Sequence, residues 1–481
     1  MEPSIDHPNP TRESLQLAIQ AMEKIIRDDH VALYQLKEKL NHTSQIQSTI
    51  PVDVLAEIFT IAVDTDSFLS PAPFVLGAVC RAWRVLAWMT PRLWRYLSID
   101  FVEERKDVQR QLIQEWINRS GNQILDLELF IHADGTPTSW APTLQTFRIL
   151  LKASSRWRSL RLFERSFTNL RLEMVQNDDR FPNLTSLRLE GDFRDNIPWH
   201  FRGSQMLRRV QFSGLAEADC FVGLDWSRLQ DITVSMSPFD CLQVLDSSYS
   251  IKTANLEIIG SVERVFTFGA PKTLSRLETL KLSLESNPAA HGPRISWILA
   301  NITTPALKTL HLSNADTHLP TQLPIFCGKS QCQLTELVLH HPKSSEAEFT
   351  HTLRNIPSIE QLSITSKPPK VLLSQLMVDL LDPNQQRSVL ESLPNLSQLR
   401  YSGRVKAPFT PLLKMLQSRS ASGGHDGTPR KLDLVEINFC NIEWSRDVNP
   451  NELLAFHQAL ALLGTDGGVK VKLNWDESRS S

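Results

Sequence analysis

Leu184-Thr185-Ser186-Leu187-Arg188-Leu189, LTSLRL, carries leucine at its first, fourth and sixth positions with polar residues between them. Side chains alternate faces along a β-strand, so Leu187 and Leu189 point to one side and Ser186 and Arg188 to the other. One face is core and the other is solvent. The arrangement returns as LETLKL from Leu277, LKTLHL from Leu307 and LTELVL from Leu334, with weaker copies from Ile124, Trp157, Leu207, Leu229, Ile251, Ile359, Leu396 and Leu432. Neighbouring copies stand mostly about 22 to 30 residues apart, a period that marks an array of stacked units.

Four copies have a proline two residues before the first apolar position, Pro182, Pro305, Pro357 and Pro394, where it ends a helix and feeds an extended strand. Between copies, Phe349, Leu353 and Ile356 have the spacing of a helix. The array resembles the leucine-rich repeat over about residues 120 to 475, and the copy from Leu432 follows the long form of the motif with Val435, Ile437, Cys440 and Ile442. Asp192, Glu285 and Ala315 stand where that motif has Asn or Cys, so the resemblance implies an irregular solenoid. A non-solenoid α/β domain with amphipathic strands is the alternative. Target binding is expected on solvent-facing strand positions, with Arg188, Gln211, Thr233, Lys281, His311, Gln361 and Arg400 as substrate-binding candidates. Their mixed charge names no target class.

Upstream of the array, VCRAWRVLAWMTPRLW, residues 79–94, concentrates three tryptophans among arginines. A helix over about 74–89 would gather Val75, Leu76, Val79, Cys80, Trp83, Leu86 and Ala87 into one apolar stripe, with Arg81, Arg84 and Trp88 on the other side. Trp88 then lies one turn from Arg84, within reach of its guanidinium. Thr90-Pro91 ends the helix, and Leu93, Trp94 and Leu97 offer one further apolar turn. An earlier helix begins at Pro51 and Asp53, a first turn suited to proline and to a negative charge. Its apolar face is Leu55, Ile58, Phe59 and Ala62, and the loop from Val63 to Pro73 follows.

The order Ile50-Pro51, Leu55, Glu57-Ile58-Phe59, Val79-Cys80-Arg81, Trp83-Arg84, Pro91, Leu93-Trp94 and Leu97 resembles the F-box, over about residues 48 to 100. It looks most like fungal members, although the loop after Val63 exceeds the compact family pattern. The resemblance implies docking to a Skp-type adaptor, and through it to a cullin, with Ile50, Pro51, Leu55, Ile58, Phe59, Val79, Cys80, Trp83, Leu93 and Trp94 as adaptor-binding positions. The other reading of the same stripe closes the module on itself. Small helical modules of this size gain stability from a neighbour or partner.

Ahead of that module Leu15, Ile19, Met22, Ile26, Asp29, Leu33, Leu36 and Leu40 alternate steps of four and three, the 3.5-residue average of a coiled-coil seam. Self-association through residues 15–40 and a single amphipathic helix lying on the chain are both open. The organisation expected is therefore α/β overall: an N-terminal helix over 1–47, an F-box-like all-α module over 48–100, a repeat domain over 101–475, and a tail from 476 to 481. SRSASGGHDGTPRK, around residue 425, is expected to form a mobile loop.

Composition narrows the function. The 51 basic and 53 acidic residues nearly cancel, leaving none of the charge excess that drives phosphate binding, and Trp83 and Trp94 are claimed by apolar faces, so no nucleic-acid partner is expected. No apolar run reaches about 18 residues and the N-terminus lacks a basic start with an apolar stretch, so neither a membrane span nor a leader is expected. The six cysteines are scattered rather than framed, which suits a reducing, intracellular compartment, cytoplasm or nucleus. Cys327 and Cys332, followed by His340 and His341, have a spacing loose enough for a metal but better explained by a loop. With no phosphate-binding glycine loop, nucleophile elbow or helical histidine pair, the chain is expected to bind rather than catalyse, with no cofactor or metal. Two functions fit: a substrate receptor of a Skp–cullin–F-box ubiquitin ligase, or a leucine-rich-repeat interaction scaffold with no ligase role.

Overall fold

The computed structural model describes residues 11–43, 49–65, 72–101, 105–131, 137–166, 181–192, 201, 203–216, 221, 224–260, 270–285, 294–343, 345–366, 371–373, 381, 393–405, 410–421, 430–439, 454–456, 458–459 and 470–475. Most of the loop after Val63, residues Cys220, Cys440 and Ile442, the centre of the loop around 425 and the tail from 476 lie outside them. The chain divides into two compact units, residues 1–99 with 107–127, and residues 100–106 with 128–481.

The first unit is mainly helical. It holds α1 (Arg12–His42), α2 (Val52–Thr65), α3 (Ala72–Val79), α4 (Arg81–Met89), a 3₁₀ turn at Pro91–Trp94 and α5 (Lys106–Arg119). The division between units passes through β1 (Tyr96–Phe101) and β2 (Leu125–Ile131). The single helix expected over 74–89 is two: Cys80 is extended, and its Sγ accepts from the Trp83 N–H at 3.5 Å as the N-cap of α4. Leu97, expected in a further apolar turn, lies in β1, where Leu97 and Ile99 are buried on one face.

The second unit is built on a large parallel sheet. Its strands are β3 (Trp157–Ser166), β4 (Ser186–Asp192), β5 (Arg209–Ala216), β6 (Asp231–Met236), β7 (Thr253–Ile258), β8 (Lys272–Thr273), β9 (Thr279–Leu284), β10 (Ile302–Thr303), β11 (Thr309–Ser313), β12 (Glu336–His340), β13 (Gln361–Thr365), β14 (Val371–Leu373), β15 (Gln398–Val405), β16 (Leu434–Phe439) and β17 (Lys470–Trp475). The order is β3-β4-β5-β6-β7-β9-β11-β12-β13-β15-β16-β17, in the order of the chain throughout; β14 pairs with β15, and β8 pairs with β10 apart.

Register follows the leucine pattern. Leu187 stands beside Leu160 and Val210, and Leu189 beside Leu162 and Phe212. The same two columns continue through Ile232 and Val234, Ala254 and Leu256, Leu280 and Leu282, and Leu310 and Leu312 to Leu337 and Leu339. All of these side chains are buried, each stabilising by about 1.5–3 kcal/mol for the larger ones on an extended-chain reference, an upper estimate. A one-residue slip would turn both columns to solvent, so the register is strongly fixed.

In most copies the first apolar position is buried at a turn before the strand; Ile124 is exposed and Trp157 already begins β3. Phe181-Pro182-Asn183-Leu184, Thr304-Pro305-Ala306-Leu307 and Leu393-Pro394-Asn395-Leu396 each close with the last N–H donating to the first carbonyl at 3.2 Å. Proline sits second in these turns, where its fixed φ suits it. Asn183 Nδ2 donates to Ser155 O at 2.7 Å and Asn395 Nδ2 to Pro357 O at 3.1 Å, tying a turn to the one before it.

Helices fill the returns: α6 (Pro137–Leu151), α7 (Pro238–Ser247), α8 (Arg294–Asn301), α9 (Leu319–Ser330), α10 (Glu346–Arg354) and α11 (Thr410–Ala421). In α10 Ser345 and Glu348 form a reciprocal capping box, and Phe349 and Leu353 are buried, as that spacing requires. Arg419 of α11 is fully buried yet satisfied, donating to Leu381 O, Leu393 O and Arg430 O. Among the described residues no helix is long and apolar enough to cross a membrane.

Candidate interaction surfaces

The adaptor-binding candidates separate by burial. Leu55, Phe59, Cys80, Leu93 and Trp94 are buried and form the core of the helical unit. Phe59 packs against the half-buried Trp83, ring centroids 4.8 Å apart. Pro51, Ile58 and Val79 are exposed and Ile50 is half-buried. Around them Val52, Val54, Ile61 and Val75 also face solvent. Exposed apolar side chains concentrated on two short helices are the kind of surface that marks protein docking.

Trp88 packs among aromatic rings, and the cation stacked on it is not Arg84. Its ring meets Phe74 at 5.8 Å and Trp94 at 5.6 Å, and Trp94 in turn meets Trp116 of α5 at 4.8 Å. Trp94 Nε1 donates to Ala87 O at 2.9 Å and Trp116 Nε1 to Trp94 O at 2.7 Å, so these indoles are satisfied inside the cluster. The cation over Trp88 is Arg119, 5.2 Å from its centroid and 5.2 Å from that of Trp94. Arg84 Nε instead donates to Gly77 O at 2.8 Å, satisfying a carbonyl in the last turn of α3. The break at Cys80 rotates α4 relative to α3 and turns Trp88 inward. The module read as closing near residue 100 gains its fourth aromatic from α5.

On the sheet, the polar faces of the strands form continuous rows. The fifth positions of successive copies align as Arg161, Arg188, Gln211, Thr233, Asn255, Lys281, His311, Val338, Ser363, Arg400, Glu436 and Lys472. Six of the seven substrate-binding candidates share this row. Gln361 does not: it is the third position of its copy and pairs with Glu336 and Gln398, one row away on the same face. Arg400 is exposed, and the other six candidates are half-buried between neighbouring strands.

The row's three arginines are paired with carboxylates nearby. Arg161 pairs with the buried Glu128 at 2.6 Å and reaches Glu190 at 3.8 Å, while Arg188 also pairs with Glu190. Arg161 lies 4.4 Å over the ring of Phe163, which stacks on Phe130 at 4.5 Å. Arg400 faces Glu436 at 3.8 Å. Sequence reasoning passed over Arg161, Phe163 and Glu128, although Arg161 is the fifth position of the copy from Trp157. His311 lies 3.7 Å from Glu336. Burial, aided by Lys281, holds its pKa below the usual imidazole value against the pull of Glu336. Burial, with His341 beside it, does the same for His340.

Cys327 and Cys332 form a thiol pair. α9 ends with Gln331 in the left-handed region, φ 52°, its N–H donating to Cys327 O at 2.9 Å, and this turn brings Cys332 back towards Cys327. Their hydrogen bond raises the Cys327 pKa and lowers that of Cys332. Among the described residues no group of three His, Cys, Asp or Glu side chains converges as metal ligands. No protein-family model matches the chain, and no curated protein matches it.

Proposed function

We propose that the chain is the substrate-recognition subunit of a Skp–cullin–F-box ubiquitin ligase, docking to the adaptor through its helical unit and holding a target protein on the polar strand rows. The observation that carries this reading is the exposed set Pro51, Ile58 and Val79, 45% and 55% exposed at the last two, at positions to which the F-box resemblance assigns adaptor contact. Leu55, Phe59, Cys80, Leu93 and Trp94 then act indirectly, as the core that holds those three in place. The serial parallel strands support reading the second unit as an irregular leucine-rich-repeat solenoid, because stacked repeats pair only with their neighbours in the chain. The protein supplies proximity between target and the transferring subunits, not chemistry.

The test uses side chains that are exposed, so that folding is not at issue. Full-length protein carrying Ile58→Asp and Val79→Asp should lose affinity for a purified Skp adaptor by about tenfold or more, since anchors at the centre of an interface contribute about 2 kcal/mol each. Circular dichroism establishes that the variant is folded. Adaptor binding that is absent in the wild type, or unchanged in the double variant, overturns the proposal and leaves the interaction scaffold.

A further inference from the structure

We propose that α1 pairs with α1 of a second copy of this chain as a parallel, in-register two-stranded coiled coil. Every apolar member of its seam is open to solvent, from 47% at Leu33 to 71% at Leu40. A helix lying on its own chain would bury this stripe. Instead the described helix touches the rest of its unit through a polar contact, Arg81 to Glu38 at 3.5 Å.

Three observations identify the missing partner. The seam repeats every 3.5 residues from Leu15 to Leu40, the period that keeps a seam facing another helix through a supercoil. It runs about 39 Å along the axis at about 1.5 Å per residue, and among the described residues the other helices reach only 15 residues. None is long enough to cover it, whereas another α1 matches it residue for residue. The side-chain types then select the arrangement. With Leu15 at position d, the a positions are Ile19, Ile26, Leu33 and Leu40 and the d positions are Leu15, Met22, Asp29 and Leu36. β-branched residues at a with leucine at d favour two parallel strands, a preference carried here by Ile19 and Ile26 at a and by Leu15 and Leu36 at d.

Asp29 is the seam's weak layer. In a parallel pair the two Asp29 side chains face each other, so the dimer is held below the strength its apolar layers would give. The residues at e and g bring no like-charge pair to offset or worsen this, since Ala18, Ile25 and Ala32 occupy three of the g positions.

Sedimentation of the full-length protein over a concentration series tests the proposal. The wild type should pass from monomer to dimer, and Ile19→Glu with Ile26→Glu should remain monomeric throughout. Both positions are exposed in the single chain, so circular dichroism should be unchanged apart from α1. Asp29→Leu should tighten the dimer by at least about tenfold. Ile19→Cys, oxidised with a disulfide such as oxidised glutathione, should give a linked dimer that the wild type does not, because an antiparallel pair holds the two residues far apart. A wild type monomeric at all concentrations, a dimer indifferent to the glutamate pair, or an Ile19→Cys variant that dimerises without becoming linked overturns the proposal. None of these readouts involves the adaptor, so failure here is separate from failure of the ligase reading.

Discussion

At the scale of single residues, Gly77 and Trp88 decide how the aromatic cluster closes. A Cβ on Gly77 would overlap the Trp88 ring, so the missing side chain is what admits the indole. Gly77→Ala should therefore destabilise the protein: overpacking costs about 1–3 kcal/mol, more than the roughly 1 kcal/mol that alanine gains over glycine in a helix. Chemical denaturation followed by tryptophan emission should give a lower midpoint, and an unchanged or higher one would mean that Trp88 is not seated there. This arrangement was not legible in the sequence. A helical wheel assumes one uninterrupted helix, and no proline marks the break at Cys80. The break comes from extended backbone whose thiol caps the next helix, a local hydrogen bond with no pattern at helical period. The Arg84 guanidinium is held by Gly77 O, and the cation over the indole comes from Arg119, thirty-one residues along the chain. By contrast, the burial of Leu55, Phe59 and Trp94 was legible, because apolar periodicity reports which face is covered. It does not report whether the cover is the chain itself or a partner.

At the scale of elements, all twelve copies of the leucine pattern lie on strands, because alternation of apolar and polar residues is a rule that local sequence obeys. Among the described residues five strands escaped: β8, β10 and β14 span only two or three residues, too few to carry the pattern, and β1 and β17 disguise it. Trp94, Leu97 and Ile99 fit the pattern and are buried, but Trp94 also completes the helical cluster, which masks the signature. In β17, Val471 and Leu473 stand in line with Val435 and Ile437, but Gly468 occupies the first position and breaks the signature. The adjacent strands β11 and β12 also carry a pH response. The groups facing His311 are Lys281, Glu336 and His340, and burial outweighs the carboxylate in setting its pKa below the ordinary value. His340 is lowered in the same direction. An unfolded chain therefore takes up these protons first as pH falls, and stability is lost from about pH 6.5 down through the folded values. Urea midpoints should fall across this window. The double variant His311→Gln, His340→Gln should lose less than the wild type over the same interval. Equal losses in both proteins would show that other groups carry the response.

At the scale of the whole molecule, the sequence pattern specified which strands neighbour each other, because each copy can cover its apolar face only by stacking on the next. It left open whether the second unit behaves as a repeat array or as one cooperative core, since both can contain the same parallel ladder. Energetics separate them. Leu256 of β7 is fully buried, and its strand neighbours are Val234 and Leu282. Leu256→Ala removes about 2–5 kcal/mol of transfer and cavity energy at that point. In a nearest-neighbour array the loss weakens the adjoining repeats first and fades with distance along the stack. A single closed core spreads it over the whole sheet through global unfolding. Hydrogen exchange by mass spectrometry on the full-length variant should show faster exchange in Asp231–Met236 and Thr279–Leu284. Protection in Gln398–Val405, five strands beyond β7 in the sheet order, should be retained. Uniform loss across both regions would exclude the repeat reading, and with it the expectation that distant positions such as Arg188 and Arg400 can be altered independently. Graded loss would make the row divisible, so that target contacts could be mapped one strand at a time without collapsing the rest.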